Sequence, residues 1–289
     1  MDKSVIRNRI YSKIDELPTL PVVVTRLLGM FEDKKSNTAS LTEAIEKDPS
    51  LTSKVLKVAN SAYYGFSHQI ASLDRAVAIL GFNMVKSLVI SIGVMKTMPS
   101  DKKTSLFSEK ELWHHSITVA VVLREMGRRH YPDRRESELF FITGLIHDIG
   151  LIVFDQFFHN LFEDVLNENS REDRERMCLA EKKIIGLDHG EVGGMLLERW
   201  NFPEEISNPV LFHHADEFQD GKNKEETALL KAADAVSHIN SNDEYTDKVK
   251  EKIEYGKEFE GLDRKIIYDM IHFKDNAKDE IDSFFNSMI

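Results

Sequence analysis

The sequence predicts an all-α fold, and three observations carry that reading. Apolar residues recur at helical spacing along nearly all of the 289 residues. Where the periodicity breaks, the residues that break it are helix-end signals: a cap residue, a proline at the first helical position, or a glycine after the last turn. Strand signals are missing. No alternating apolar and polar run is flanked by an Asn-Gly or Asp-Gly turn, and Asp220-Gly221 sits among polar residues. Neither an internal repeat nor a low-complexity tract interrupts the pattern.

Taken in order, Leu17-Pro18-Thr19-Leu20-Pro21 is a stiff extended lead-in, after which Val22, Val23, Leu27, Leu28 and Phe31 form one helical face. Ser40-Leu41-Thr42-Glu43 is a capping-box spelling, and Asp48-Pro49 is a cap followed by proline. Tyr63, Tyr64, Gly65 and Phe66 follow Asn60-Ser61, an aromatic and glycine cluster that reads equally as a contact surface or as a packed corner between helices. Ser72 opens a helix carrying Leu73, Val77 and Leu80 that stops at Gly81. Val85, Leu88, Val89, Ile92 and Val94 then make a core helix.

The polar, proline-started stretch Pro99 to Ser105 marks a junction, giving an N-terminal helical subdomain at 1–100 and a histidine-bearing subdomain at 101–240. A second polar stretch, Asp216 to Glu226, is a loop before the helix that carries Asp234. Residues 241–289 form a C-terminal helical extension. It is charged, but Ile266, Ile267, Met270 and Ile271, then Ile281, Phe284, Phe285 and Met288, keep helical spacing and imply packing on the main body or on a partner.

Composition excludes several functions. Hydrophobic residues at 42% and charged residues at 30% describe an ordinary globular chain. The single Cys178 rules out an internal disulfide framework and a thiolate zinc site, and fits a reducing cytoplasm. No N-terminal targeting signal is expected, and the longest apolar run, Ser87 to Met95, is bracketed by Lys86 and Lys96, so no membrane span is expected either. A net charge of -11 repels phosphate backbones, which makes a nucleic-acid polymer a poor partner. A small phosphorylated ligand held through metal, or a signalling protein, remains open, and nothing in the chain sets an oligomeric state.

The chemistry-bearing residues are Glu111 and His115, His147 and Asp148, His189, the pair His213-His214, and Asp234. Imidazole nitrogens and carboxylate oxygens together suit first-row divalent metals, and an Asp beside a His can bridge two ions. Glu111 and His115 are four apart and share one side of a helix with Val119 and Val122, although Glu111 also completes a capping box with Ser108. His147 and Asp148, if helical, are about 100° apart, which suits one ligand per metal with Asp148 as the bridge. His189 follows the cap Asp188, with Glu191 three residues on, and so sits in a first helical turn. Asp234 lies among Leu229, Leu230, Ala232, Ala233 and Val236, where a buried carboxylate needs a cationic partner; Lys231 and His238 are alternatives to metal. His213-His214 reads alternatively as a solvated helix end, and His114 is expected to face elsewhere.

In order, Trp113-His114-His115-Ser116, Gly144-Leu145-Ile146-His147-Asp148-Ile149-Gly150 and Asp188-His189-Gly190-Glu191-Val192-Gly193 resemble the HD superfamily of metal-dependent phosphohydrolases. With Leu17-Pro18-Thr19-Leu20-Pro21, Asp48-Pro49-Ser50-Leu51, Ala59-Asn60-Ser61-Ala62-Tyr63-Tyr64-Gly65 and Ala76-Val77-Ala78-Ile79-Leu80-Gly81 added, the chain is similar to the HDOD branch. The resemblance implies a multi-helix bundle of the HD-domain type. It also implies a centre for two divalent ions, with Fe, Mn, Zn, Ni and Mg all compatible with these donors. Two departures bear on activity. Catalytic relatives carry a lysine four residues after the motif histidine, where this chain has Leu151, and the Gly-Tyr-Pro that follows paired histidines in the branch cleaving cyclic dinucleotides is absent. The resemblance therefore implies a cytoplasmic bacterial signalling protein, with a phosphohydrolase acting on a phosphomonoester, phosphodiester or nucleotide, and Asp148 at its centre, as the rival.

Overall fold

Helix caps set the chain's first turns. In this computed structural model the described residues are 3–31, 36–98, 106–131, 137–168, 174–215, 223–241, 247–256, 259 and 261–288, and all regular structure among them is helical. The N-terminal part comprises α1 (Lys3–Glu16), α2 (Val22–Gly29), α3 (Thr38–Glu46), α4 (Pro49–Ala59), a 3-10 turn (Ala62–Tyr64), α5 (Leu73–Leu80) and α6 (Phe82–Thr97). The Asp48 carboxylate accepts the Leu51 N–H at 3.0 Å with Pro49 opening α4, and Ser72 caps α5. The third cap differs from the sequence reading. Asn37 caps α3 by accepting the Ser40 N–H at 3.1 Å, and the Ser40 hydroxyl accepts the Asn37 N–H at 3.1 Å in return. Ser40 is thus the far half of the box; an amide cap one turn upstream lengthens the helix, and Glu43 is left to pair with Lys47 at 2.8 Å.

The face of α2 is also rephased. Val24, Leu27 and Leu28 are buried, Val23 and Phe31 pack partly against the core, and Val22 is 86% exposed. Val22 is the first helical residue, and the period set by Leu27 and Leu28 reaches back to Val24. In α6, Val85, Leu88, Val89, Ile92 and Val94 are all buried, as expected. Lys86 is buried too, with its ammonium 3.6 Å from the centre of the Phe31 ring. No single helix among the described residues is long and apolar enough to cross a membrane; α5 and α6 pass on length and composition only as a pair bent by 117°.

The second part comprises α7 (Glu109–His130), α8 (Ser137–Ile146), α9 (Ile149–Phe157), α10 (His159–Glu168), α11 (Arg174–Ile184), α12 (His189–Arg199), α13 (Glu204–Phe212) and α14 (Lys224–Ser237), followed by α15 (Asp247–Tyr255), α16 (Arg264–Asn276) and α17 (Lys278–Met288). The expected junction at Pro99 to Ser105 lies outside the described residues, as does most of the expected loop from Asp216. One apolar core runs from Ile10 through α6 and α8 to Phe284 and Phe285 of α17, so it bridges both sides of that junction. The opposite face of α7, with Val119, Val122, Leu123 and Met126, forms a second core with α14 and α16. α7 is therefore the shared wall. It meets α8 closely because Gly144 lies over Ala120: a Cβ on Gly144 would stand 2.6 Å from the Ala120 Cα.

The extension packs on the body. Ile281, Phe284, Phe285 and Met288 of α17 are buried, and Lys54 and Lys57 of α4 donate to the carbonyls of Met288 and Asn286 near its end, at 3.1 and 3.0 Å. Tyr63 meets Phe284 with ring centroids 5.0 Å apart, so the aromatic cluster is a packed corner under α17, with Phe66 at its partly exposed margin.

Beside that corner, Arg124 of α7 reaches Glu138 of α8 at 3.2 Å and the Tyr63 hydroxyl at 3.3 Å. Both charges are largely buried, and burial outweighs the guanidinium to hold the Glu138 carboxyl above the usual carboxylate range. Removing one partner strands the other. Arg124→Leu is expected to lose about 3–5 kcal/mol of unfolding free energy, whereas Arg124→Leu combined with Glu138→Leu recovers most of it. Urea unfolding midpoints of the two variants check this, and equal losses in both would overturn it.

Candidate metal centre

His147 and Asp148 do not sit on one helix, as the spacing argument supposed. They form the turn between α8, which ends at Ile146, and α9, which starts at Ile149. Both side chains are buried, and the Asp148 carboxylate does not cap α9. It faces histidines from three other elements and a second carboxylate from a fourth. His115 comes from the second turn of α7, His189 from the first residue of α12, the pair His213-His214 from the C-terminal end of α13, and Asp234 from α14.

Gly150 makes the closest approach. A Cβ there would stand 2.0 Å from the His189 carbonyl oxygen, so α9 and α12 begin almost in backbone contact, and this sets the His189 ring beside Asp148. Asp188 caps α12 through the Glu191 N–H at 2.8 Å, and Glu191 returns a bond to the Asp188 N–H at 2.9 Å, the box that the sequence predicts.

Around Asp148 the nearest nitrogens are Nε2 of His147 at 3.1 Å, of His189 at 3.3 Å, of His213 at 3.5 Å and of His115 at 3.6 Å. Asp234 joins through His115 at 3.1 Å and His147 at 3.8 Å. Two groups of ligand atoms, each within 4.8 Å, share Asp148: one with His115 and His147, the other with His189, His213 and His214. A third group, His115, Asp234 and His238, lies at the edge. All of the expected ligands except Glu111 fall within these groups. Glu111 is exposed, and its N–H receives the Ser108 cap at 3.2 Å. His114 points away, to Asp282 at 2.6 Å and the Phe285 ring of α17.

The hydrogen bonds fix which nitrogen faces inward. A carbonyl only accepts, so His147 donates through Nδ1 to Gly144 O at 2.7 Å and His213 does the same to Val210 O at 2.6 Å. The Ser237 hydroxyl donates to Asp234 O at 2.6 Å, which leaves its oxygen to accept from Nδ1 of His115 at 3.4 Å. Nε2 of His189, His213 and His214 is buried and makes no hydrogen bond of good geometry. Burial lowers the pKa of His213, so its Nε2 presents a lone pair to a carboxylate, an arrangement of two acceptors that needs a cation between them. Burial and the neighbouring imidazoles hold His214 well below the ordinary value. His147 goes the other way: burial pulls it down, but Asp148 and Asp234 outweigh that and raise it to about 9. His189 is likewise raised, against burial, chiefly by Glu181. Protons on these two rings offset part of the carboxylate charge, and a divalent ion would replace them. The donor set therefore fits metal.

Sequence reasoning missed Glu181 and undervalued His238. Glu181 is fully buried on α11, and its carboxylate accepts the His189 N–H at 2.9 Å and Nδ1–H at 2.8 Å. The signal was present in the spacing of Cys178, Glu181 and Ile185, which puts a carboxylate on an apolar helix face. His238, one turn after Asp234, stacks on His115 with centroids 5.0 Å apart, stands 3.6 Å from Asp234 and is 47% exposed, which marks the open side of the centre.

Comparison with known proteins agrees with this architecture. The HDOD domain family matches residues 17–216. An uncharacterized protein of Treponema pallidum is 24% identical over 205 residues, 71% of this chain and 39% of that relative, so the chain spans about two-fifths of its length. A Shewanella amazonensis structure whose name proposes a phosphohydrolase superposes with a TM-score of 0.78 at 22% identity, covering 97% of this chain and 98% of that one. A Marinobacter aquaeolei structure whose name proposes a signal-transduction protein has a TM-score of 0.74 at 19% identity and covers 100% of this chain and 66% of that one. At these identities the two structures establish the shared helical fold, and the family match over two-thirds of the residues establishes the rest: this chain belongs to the HDOD domain family.

Proposed function

We propose that the chain is a cytoplasmic signalling module whose buried centre binds two divalent ions, with Asp148 as the bridge, and acts through a phosphorylated ligand or a partner protein rather than by rapid hydrolysis. His115, His147 and Asp234 would hold one ion with Asp148, and His189, His213 and His214 the other. When bound, such an ion pair supplies Lewis acidity and can clamp phosphate oxygens. The protein holds the imidazoles with their Nε2 lone pairs inward, and of the clustered histidines His147, His189 and His213 are buried while His115 and His214 are half-buried and His238 is exposed.

One observation carries the regulatory half. The position four residues after His147 is Leu151, buried in the apolar core, and four candidate substitutes for the missing lysine are paired elsewhere. Arg124 pairs with Glu138, Arg128 with Glu125 at 2.8 Å, Lys182 with Asp188 at 2.8 Å, and Lys183 with Glu168. Without that lysine, less of the charge developing on a phosphoryl group would be met by the protein, which weakens catalysis. The completeness of the paired ligand set favours the second reading, a phosphate-ester hydrolase.

Elemental analysis of protein purified without chelator is expected to give close to two metal equivalents, reduced in Asp148→Asn. A screen of phosphomonoesters and phosphodiesters with Mn²⁺, Fe²⁺ and Mg²⁺ is expected to show no turnover. Turnover that Asp148→Asn abolishes while far-UV circular dichroism is unchanged would establish the hydrolase instead, and metal-free protein would overturn both readings.

Metal uptake is also expected to depend on pH. His147, raised to about 9, holds a proton at neutral pH that an ion must expel. Affinity for Mn²⁺ should therefore strengthen as pH rises towards that value, by about tenfold per pH unit for each proton displaced, and weaken as pH falls. Calorimetric titrations in two buffers of different ionisation enthalpy measure the release; equal affinity at about pH 6.5 and 8.5 would contradict it.

A further inference from the structure

Resting on the paired-ion reading, we propose that Glu181 is a positioning residue for the ion on the His189 side of the centre, setting the nitrogen that His189 presents and supplying charge that this side otherwise lacks. The partners of the inward-facing rings differ in kind. His147 and His213 each donate Nδ1–H to a backbone carbonyl and His115 to a serine hydroxyl, all neutral acceptors. His189 alone among these four donates to a carboxylate, with Glu181 Oε2 at 2.8 Å and Oε1 at 3.0 Å from Nδ1.

The charge balance gives this difference a consequence. One side of the centre has two carboxylates, Asp148 and Asp234, beside His115 and His147. The other has three imidazoles and only a share of Asp148. A dication there is under-compensated unless negative charge reaches it through a ligand, and a carboxylate on Nδ1–H makes an imidazole a stronger donor at Nε2. Glu181 is in place to do so. It is fully buried and anchored a second time by the His189 N–H at 2.9 Å, so ring and backbone are held by one side chain.

Cys178, Glu181 and His189 also lie close enough to be read as an ion site of their own. Nδ1 of His189 spends its proton on Glu181 at 2.8 Å and so has no lone pair for an ion on that side, which makes Glu181 act on the centre through His189 and not as a separate ligand.

Glu181→Gln keeps the size and removes the charge, and its amide oxygen can still accept from both N–H groups as Oε2 does, so the substitution tests the charge. Calorimetric titration with Zn²⁺ is expected to show one equivalent bound as in the wild type and the other weakened by roughly 10–100-fold. Both equivalents binding with wild-type affinity would overturn the inference while leaving the paired-ion reading intact. Wild-type protein that takes up no zinc would overturn both. Because the variant can fail to fold, a second measurement is made on the wild type: in the zinc-loaded protein, two-dimensional ¹⁵N–¹H spectra of the imidazoles are expected to place the His189 proton on Nδ1 and zinc on Nε2. Zinc on Nδ1 would overturn the role of Glu181 whatever the variant does.

Discussion

Everything at the centre follows from burying the Asp148 carboxylate. A carboxylate removed from water costs several kcal/mol unless positive charge and donors replace the solvent. Asp148 sits at the start of α9 without capping it, so its oxygens are left to the imidazoles around them. Those imidazoles are held with Nδ1 turned outward to protein acceptors, and that orientation presents lone pairs inward. Only protons or metal ions reconcile lone pairs with a carboxylate at such distances. The divergence between His147, raised to about 9, and His213, lowered by burial, is the same requirement met in two ways within one cluster.

Geometry this close is a backbone achievement before it is a side-chain one. Gly150 lets the turn carrying Asp148 touch the first residue of α12, and Gly144 lets α8 settle on α7. α7 then serves three purposes at once. One face closes the main core, the other closes the second core, and between them His115 enters the centre while the adjacent His114 receives Asp282 of α17. The C-terminal extension is thus anchored one residue from a ligand, on the same rigid helix.

The fold was legible because its signals are local. Asp48-Pro49, Ser72 and Asp188 with Glu191 specify helix starts through atoms within one turn, and the largely apolar stretch from Val85 to Val94 marks α6, buried on every side from Met84 to Val94, as a core helix. Errors arose where two local answers were nearly equal. Asn37 and Ser40 are both good caps, and the neighbours of Val22 satisfy either of two helical phases until Gly93 of α6 receives Val24. The clustering of His115, His147, Asp148, His189, His213, His214 and Asp234 was legible because these residue types stand together in motifs, whereas Glu181 was passed over because its partner lies in another helix and the lysines beside it make it look solvated. Glu111 shows the converse. It lies one turn before His115 on α7, yet it is exposed and outside the groups that gather around Asp148.

A purely structural account of the cluster meets an energetic difficulty. Paired buried charges are seldom more stable than apolar side chains of the same volume, and here Asp148 and Glu181, with Asp234 mostly covered, share space that Leu or Phe would fill at no electrostatic cost. The surrounding core, with Phe141, Phe154 and Ile152 fully buried nearby in sequence, is dense enough to have tolerated such a filling. The cluster raises the pKa of His147 and His189 and leaves buried nitrogens of His189, His213 and His214 without hydrogen bonds, which is costly in that volume. Ions that bind the folded chain and not the unfolded one add their binding free energy to folding. A bound ion would therefore turn the centre from a cost into a source of stability, exerted through His115 on the helix α7 that walls both cores.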